Sequence, residues 1–388
     1  MTEKPHQGAG PCPSTPAKAE PLQSVTILAA SSPGEVRIAL TDRQGTLLDY
    51  RLWRPGAPDG VGDEHLGRVI KRVPAMAGVF VALAGAEGFL PDTAGGAKLA
   101  EGALIRVRVS RAALGGKGPR LQALAGETPG GPPRLLQPAP HPLLQIAAHY
   151  PEAPVRVDDG ALAAQLHTLL GSRLTCLAAA FDAGIEDQAA ALAAPDAALP
   201  DGVRATFHPT PALTAIDLDA GAATAARAPK GVAQEALNRA LIPALARQIR
   251  LRNLSGAILI DFAGMKSKKR ATLAPALAAA LAADPLRPRL LGFTALGFAE
   301  ILRPRVHPPL HEYLSGPHAA GLRALRAAMR DAAARPAMPL ALLAAPAVIA
   351  AIEADTLARA DFARCAGRAL ALRSEPGLAL DAWRIVPI

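Results

Sequence analysis

Two acidic positions are delivered by segments of the same kind. LTAIDLDAG carries Asp217 with Asp219 two places on, and AILIDFAGM carries Asp261. Each is an apolar run rich in Ile and Leu that ends in the acid. Residues i and i+2 of a strand share one face, so Asp217 and Asp219 are expected to point the same way. Two carboxylates about 4 Å apart repel by about 4 kcal/mol at an effective dielectric near 20. A shared proton relieves that repulsion, and so does a cation. Magnesium suits the second option, because it takes one or two carboxylates and completes its shell with waters and a phosphate. Shortly after Asp261, the run MKSKKRA brings Lys266, Lys268, Lys269 and Arg270 together. A carboxylate pair beside a basic cluster fits metal-assisted chemistry on a phosphodiester, with the three lysines as nucleic-acid-contacting cations. By pattern alone the acids also fit caps of the following turns, and the basic run fits a solvated face.

The elements between the acids set their relation. Leu237, Leu241, Leu245 and Ile249 recur every four residues, which predicts a helix stripe. Pro243 interrupts the stripe, so the helix either starts there or kinks there. Asn253 and Gly256 mark its end. Strand, helix, strand is a crossover connection and makes the two strands parallel. Parallel strands end on one edge of a sheet, the edge at which open α/β sheets bind ligands. Both acids fall at that edge.

These segments resemble the nuclease core of the ribonuclease E/G family. LTAID, the long run ARQIRLRNLSGAILIDF and the later LGFAEILRPR match it in order and spacing. The resemblance implies that Asp217 and Asp261 hold a metal ion, Mg²⁺, and form the catalytic set with Asp219, which stands where the family has an asparagine. Gly264 stands where a second aspartate is common. Glu300, Arg303 and Arg305 match an active-site rim, in which arginine contacts phosphate bidentately.

The 388 residues are 50% hydrophobic and 3% aromatic, with a formal net charge of +9. That balance favours a polyanionic partner, nucleic acid or an anionic membrane. A membrane-surface binder needs a basic amphipathic helix, and no convincing one is present. No apolar run is long enough to span a membrane without a breaker; the longest, near 340–352, contains Pro346 and ends in Glu353. Cys12, Cys176 and Cys365 are far apart, which argues for a reduced compartment, and a cytoplasmic location is expected. Residues 1–22 read as a disordered tail and not as a signal peptide.

From Val25 the segments VTILAA, EVRIALTD and TLLDYRLW alternate like strands, with turns at Ser32-Pro33-Gly34 and Arg43-Gln44-Gly45. Residues 23–60 and 145–206 resemble the family's ribonuclease-H-like subdomain. Within 61–124, short alternating strands separated by Gly and Pro predict a small barrel, similar to the family's OB-fold RNA-binding barrel. That resemblance implies that Phe80 and Phe89 stack bases, worth about 1–3 kcal/mol each, and that Lys117 contacts the backbone. Taken alone, the two phenylalanines also fit a barrel core. Residues 125–144 read as a Pro/Gly linker. The family's module that senses a 5′-monophosphate has no counterpart here, so cleavage is expected to depend little on the RNA 5′ end.

Residues 207–315 complete a DNase-I-like catalytic α/β core, and 316–388 a small C-terminal α/β domain. Where the family carries a Cys-Pro-x-Cys motif, this chain has VHPPLHEYLSG. Pro308 and Pro309 separate His307 from His311, so no zinc is expected, and a monomer or homodimer follows. The expected whole is an α/β multidomain protein: a ribonuclease-H-like subdomain with an inserted OB-fold barrel, the catalytic core and the small domain. The resemblance covers most of residues 25–388, with specific motifs at 65–90 and 213–305. It implies a Mg²⁺-dependent endoribonuclease that cleaves single-stranded RNA in processing or decay, leaving 5′-phosphate and 3′-hydroxyl ends. The alternative is a catalytically weakened RNA-binding or ribosome-associated relative, motivated by Asp219, Gly264 and the missing modules.

Overall fold

Strands Thr26–Ser32, Glu35–Thr41 and Leu47–Trp53 form an antiparallel meander. The computed structural model describes residues 25–221 and 230–388, so the expected tail at 1–22 lies outside the described residues. Pro33-Gly34 closes the first hairpin, with Gly34 at φ 73°. Proline presets the first central position of such a turn, and glycine accepts the left-handed second one. Val155–Val157 and Leu174–Cys176 add two parallel strands beside Thr26–Ser32.

Residues 64–123 close on themselves as a five-stranded barrel. Glu64–Val73, Gly78–Ala82, Glu87–Pro91, Arg120–Ala123 and Leu104–Arg111 pair in that order, and the last returns to the first. Closure removes the exposed sheet edges. Val69, Val79, Val81, Leu90, Val107 and Leu121 fill the interior. The segment read as a linker carries a further strand, Arg134–Gln137, which pairs with Glu64–Leu66. It then enters the helix Pro142–His149.

The third sheet runs Asp196–Ala198, Arg204–Pro209, Leu213–Asp219, Gly256–Asp261, Ala299–Arg303, Arg289–Phe293. It begins at Asp196, eleven residues before the expected start of the core at 207, because Asp196–Ala198 pairs with Arg204–Thr206. Leu213–Asp219 and Gly256–Asp261 are parallel neighbours, joined through the helix Lys230–Leu251. Leu241, Leu245 and Ile249 of the predicted stripe are fully buried against Ile216, Leu218, Ile258 and Ile260. Each such side chain contributes about 1.5–3 kcal/mol of apolar burial. Pro243 does not start the helix; it lies inside it, on the exposed side. There the carbonyl it leaves without a donor can reach water.

Leu340–Ala344 pairs with Ala371–Ser374 and Trp383–Pro387 under the helices Gly316–Ala334, Pro346–Ala354 and Thr356–Ala366. This domain docks on the first sheet through Glu35, which is 2% exposed and bonded to both Arg54 and Arg326. Among the described residues, no helix is long and apolar enough to cross a membrane.

Candidate active site

The pairing of Leu213–Asp219 with Gly256–Asp261 puts Asp217 directly opposite Asp261. Directly paired residues project to the same face of a sheet. Thr214, Ile216 and Leu218 alternate with Asp217 and Asp219, and those three are buried while both aspartates are exposed. Ile258 and Ile260 are buried in the same manner beside a part-exposed Asp261. One face of the sheet therefore packs on helices, and the other presents two adjacent carboxylates at the carboxyl ends of parallel strands.

Their surroundings differ. Arg270 donates from Nη1 to Asp261 Oδ1 at 2.5 Å, from Nε to Met265 O at 3.0 Å, and from Nη1 to Gly297 O at 3.3 Å. It ties the loop after Asp261 to the neighbouring turn and leaves Asp261 Oδ2 outside that bond. Asp219 lies on the same face as Asp217, but its carboxylate turns the other way. Oδ1 accepts the Gly221 N–H at 2.9 Å, and Oδ2 faces Arg204 at 3.6 Å, its direct partner across the strand pair. The structure thus joins Asp217 to Asp261 and draws Asp219 toward Arg204.

Asn238, fully buried on the long helix, donates to Ala263 O at 2.8 Å and so holds the loop that follows Asp261. Gly264 in that loop has φ 68°, and a Cβ there would sit 2.3 Å from Gln234 Nε2. The positive φ is what favours glycine, since the Gln234 amide is the end of a flexible side chain and can shift. Lys266, Lys268 and Lys269 stand exposed around the short helix Ser267–Arg270. Two carboxylates on an open face, with oxygens that no described residue bonds, fit a hard divalent cation that keeps several waters, which is the binding habit of Mg²⁺. Asp217 and Asp261 are the residues that would hold it.

On the barrel, Phe80 and Phe89 are direct cross-strand partners. Their rings meet edge to face, with centroids 5.5 Å apart. Val79, Val81 and Leu90 turn into the core, so by alternation both phenylalanines lie on the outer wall, half-exposed. The loop with Lys117 is held against the same strand. Phe89 N–H bonds Pro119 O at 2.9 Å, and a Cβ on Gly118 would strike Glu87 O at 1.8 Å. Lys117 is exposed near Phe89.

The family match takes in the whole of the aspartate sheet. The ribonuclease E/G family matches residues 173–306. This segment, about a third of the chain, is similar to that family. Ribonuclease E of Nostoc sp. is 35% identical over 118 residues, 29% of this chain and 17% of that protein. Ribonuclease E of Synechocystis sp. is 36% identical over 121 residues, 31% of this chain and 18% of that protein. Ribonuclease G of Escherichia coli is 35% identical over 106 residues, 27% of this chain and 22% of that protein. The matched part thus spans about a fifth of the length of these relatives.

The family segment includes Arg303 and Arg305, which were expected on the rim of the site. Arg303 is corrected by the structure: it is 3% exposed and does not reach that rim. It follows Ile301 at i+2 on the packed face, where Nε bonds Asp284 Oδ2 at 2.7 Å and Nη1 bonds Asn253 Oδ1 at 2.7 Å. A guanidinium so enclosed is unavailable to a phosphate. Gly256, not Asp261, is its strand partner. Arg305 continues past the same end, so both arginines lie at the opposite edge of the sheet from the acids. Glu300 is nearer to them, paired with Leu259 on the open face.

Arg270 is the contact residue that the sequence reading left without a role. His307 and His311 diverge. His307 Nδ1 bonds Asp59 Oδ2 at 2.6 Å, and the Tyr313 hydroxyl donates to the same oxygen at 3.1 Å. Burial raises the Asp59 carboxyl, but the His307 hydrogen bond and charge outweigh it and hold it below its ordinary range. His311 lines a different cavity, with Arg111 and Arg305.

Proposed function

We propose that this protein is an endoribonuclease that binds single-stranded RNA on its barrel and hydrolyses phosphodiester bonds at Asp217 and Asp261 with Mg²⁺. The observation that carries the reading is the side-by-side placement of these acids on an open sheet face, in a segment of ribonuclease E/G sequence. Bound there, Mg²⁺ supplies Lewis acidity and a water of lowered pKa. Asp217 and Asp261 orient the reaction centre. Arg270 fixes Asp261 by its bond to Oδ1, and Lys266, Lys268 and Lys269 attract the polyanion toward the acids. Phe80 and Phe89 stack bases and Lys117 meets the backbone, contacts that tolerate any sequence and suit a single strand.

The domain reading supports this assignment. The first sheet has three antiparallel strands followed by two parallel ones, an order that fits a ribonuclease-H-like subdomain. The barrel's order fits an OB fold, and the aspartate sheet a DNase-I-like core. We further read the protein as cytoplasmic, acting in RNA processing or decay as a monomer or homodimer, and leaving 5′-phosphate and 3′-hydroxyl ends. A second reading, an RNA-binding relative with weakened catalysis, is favoured by one observation: Asp219 is turned onto Arg204 and away from Asp261.

Incubation of a single-stranded RNA with Mg²⁺ separates the two. Wild type is expected to cleave internally and to stop in EDTA. Asp217→Asn and Asp261→Asn are each expected to lose at least about 100-fold in rate while fluorescence anisotropy shows RNA still bound. Binding without Mg²⁺-dependent cleavage by wild type would move the assignment to the second reading.

A further inference from the structure

The barrel carries a row of residues paired consecutively across five strands. Lys71 is opposite Phe80, Phe80 opposite Phe89, Phe89 opposite Arg120, and Arg120 opposite Arg111. Direct partners project to the same side of the sheet, so a cation, two aromatic rings and two guanidiniums follow one another around the outer wall of the closed barrel. At about 4.8 Å per strand the row covers roughly 19 Å. A single-stranded nucleic acid is held by this combination, bases on rings and phosphates on cations.

The row continues into the core. Ala112 donates its N–H to Val306 O at 2.9 Å, which seats the end of the barrel strand against the chain just past Arg305. A cavity opens at this junction, lined by Arg111, Arg305, His311 and Ser255. Ser255 is 6% exposed, and its Oγ has no hydrogen-bond partner among the described residues. Arg305 Nε is buried and equally unpartnered. Burial and the nearby charges of Arg120 and Arg305 lower the Arg111 pKa, so Arg111 is repelled by both of its guanidinium neighbours. Glu312 is the one carboxylate on the cavity wall, and none of the described ion pairs joins it to these arginines. Converging guanidiniums with an idle buried hydroxyl are satisfied together by one tetrahedral oxyanion, which accepts from all of them.

The cavity is separate from the aspartate site. It touches Leu213 and Gly256, the first residues of the strands that end in Asp219 and Asp261. The four-residue step from Leu213 to Asp217 spans roughly 13 Å of strand.

We propose that the junction cavity is a second phosphate site, which grips a backbone phosphate of the strand stacked on Phe80 and Phe89 and fixes how that strand leaves the barrel. This rests on the reading of the protein as a binder of single-stranded RNA. Arg305, placed by resemblance on the active-site rim, acts instead at the far end of the sheet. Arg111 and Arg120 carry the backbone to it, and Ser255 donates the neutral hydrogen bond.

The test is fluorescence anisotropy of a labelled single-stranded RNA decamer in EDTA, where no cleavage intervenes, between 50 and 300 mM KCl. Each phosphate contact on a single strand contributes about 0.7 to the slope of log affinity against log salt. Arg305→Ala and Arg111→Ala are each expected to weaken binding about 5–20-fold and to lower the slope by about 0.7. The double variant should lower it by less than the sum, because both grip one phosphate. Ser255→Ala should weaken binding a few-fold with the slope unchanged. Arg111 lies on the barrel and Arg305 on the core, so a folding defect in one variant leaves the other as the test. Calorimetric titration with inorganic phosphate and with a mononucleotide distinguishes the source. Sub-millimolar binding of either one, lost in Arg305→Ala while the RNA slope stays put, would make this a small-anion site and overturn the proposal. An unchanged RNA slope in all the arginine variants overturns it as well. Failure of wild type to bind RNA sinks both this proposal and the nuclease reading, whereas binding without cleavage leaves the site standing and removes only the nuclease.

Discussion

Arg270 Nη1 lies 2.5 Å from Asp261 Oδ1, so one oxygen of the paired carboxylates is already met by a cation that the chain supplies. The Arg270 side chain is 13% exposed, and its bonds to Met265 O and Gly297 O set its position independently of any ligand. It neutralises part of the charge that would otherwise attract a divalent ion.

Removing that competitor should therefore strengthen metal binding. Arg270→Met is expected to lower the Mg²⁺ concentration that half-saturates cleavage by about three- to tenfold, up to about 1.4 kcal/mol. Arg270→Lys should stay near wild type. A Mg²⁺ titration of cleavage rates reads both, and a half-saturation point that rises in Arg270→Met would show that orientation of Asp261 outweighs charge.

Gly264, where the family resemblance places an aspartate, has a backbone reason to be glycine. Its φ of 68° strains any L side chain, and a Cβ would also push aside the end of the Gln234 side chain, whose Nε2 lies 2.3 Å away. Gly264→Asp, which installs the acid that the family resemblance places there, is expected to lower thermal stability by about 1–3 kcal/mol and to leave activity no higher. Gln234→Ala in the same chain should recover part of the loss, since the collision goes and only the backbone strain stays. Full activity gain in the single variant would show that the loop adapts freely.

The aspartate pair was legible because both of its signals are local. An apolar run ending in an acid, repeated after one helical stripe, implies parallel strands and a common edge. The barrel was legible for the same reason, from short alternating runs broken by Gly and Pro. What escaped depends on register or on side-chain reach. Asp219 turns to Arg204 because the hairpin pairs those positions, and hairpin register is not written in the alternation. Arg270 reaches Asp261 only through the turn that follows the strand. Arg303 is different, since a signal was available: it stands two residues after Ile301, and period-two alternation places both on the buried face. The strand Arg134–Gln137 sits in a Pro/Gly-rich stretch, where composition argues against any strand.

Phe80 and Phe89 separate binding from stability. Both lie on the outer wall, so truncating either removes stacking surface without emptying the core. Phe80→Ala and Phe89→Ala are each expected to weaken single-stranded RNA binding by about 1–3 kcal/mol, with a melting temperature close to wild type. Val79→Ala, one residue away and fully buried, should do the reverse and cost about 1–3 kcal/mol of stability with little direct effect on affinity. Anisotropy and thermal melts on the three variants decide it. Loss of fold in both phenylalanine variants would return these rings to a core role.

His141 gives the stability a defined pH dependence. It caps the helix Pro142–His149, with Nδ1 accepting the Leu143 N–H at 3.1 Å. The ring lies edge-on to Trp53 at 4.0 Å, and Nε2 is buried with no partner among the described residues. Burial pushes its pKa down to about 4. Nδ1 accepts only while unprotonated, so the neutral imidazole is the form that caps. In the unfolded chain the ring takes its proton near about pH 6.5. Between those two values the unfolded state binds more protons than the folded one, so stability is complete above about pH 6.5 and is lost as pH falls toward about 4. The shift corresponds to at most about 3 kcal/mol. His141→Asn keeps a capping acceptor that does not titrate. The wild-type melting temperature is therefore expected to fall more steeply than that of His141→Asn between pH 7 and pH 4.5, with the two curves parallel above pH 7. Equal slopes throughout that window would show that His141 takes up its proton in the folded chain as readily as in the unfolded one.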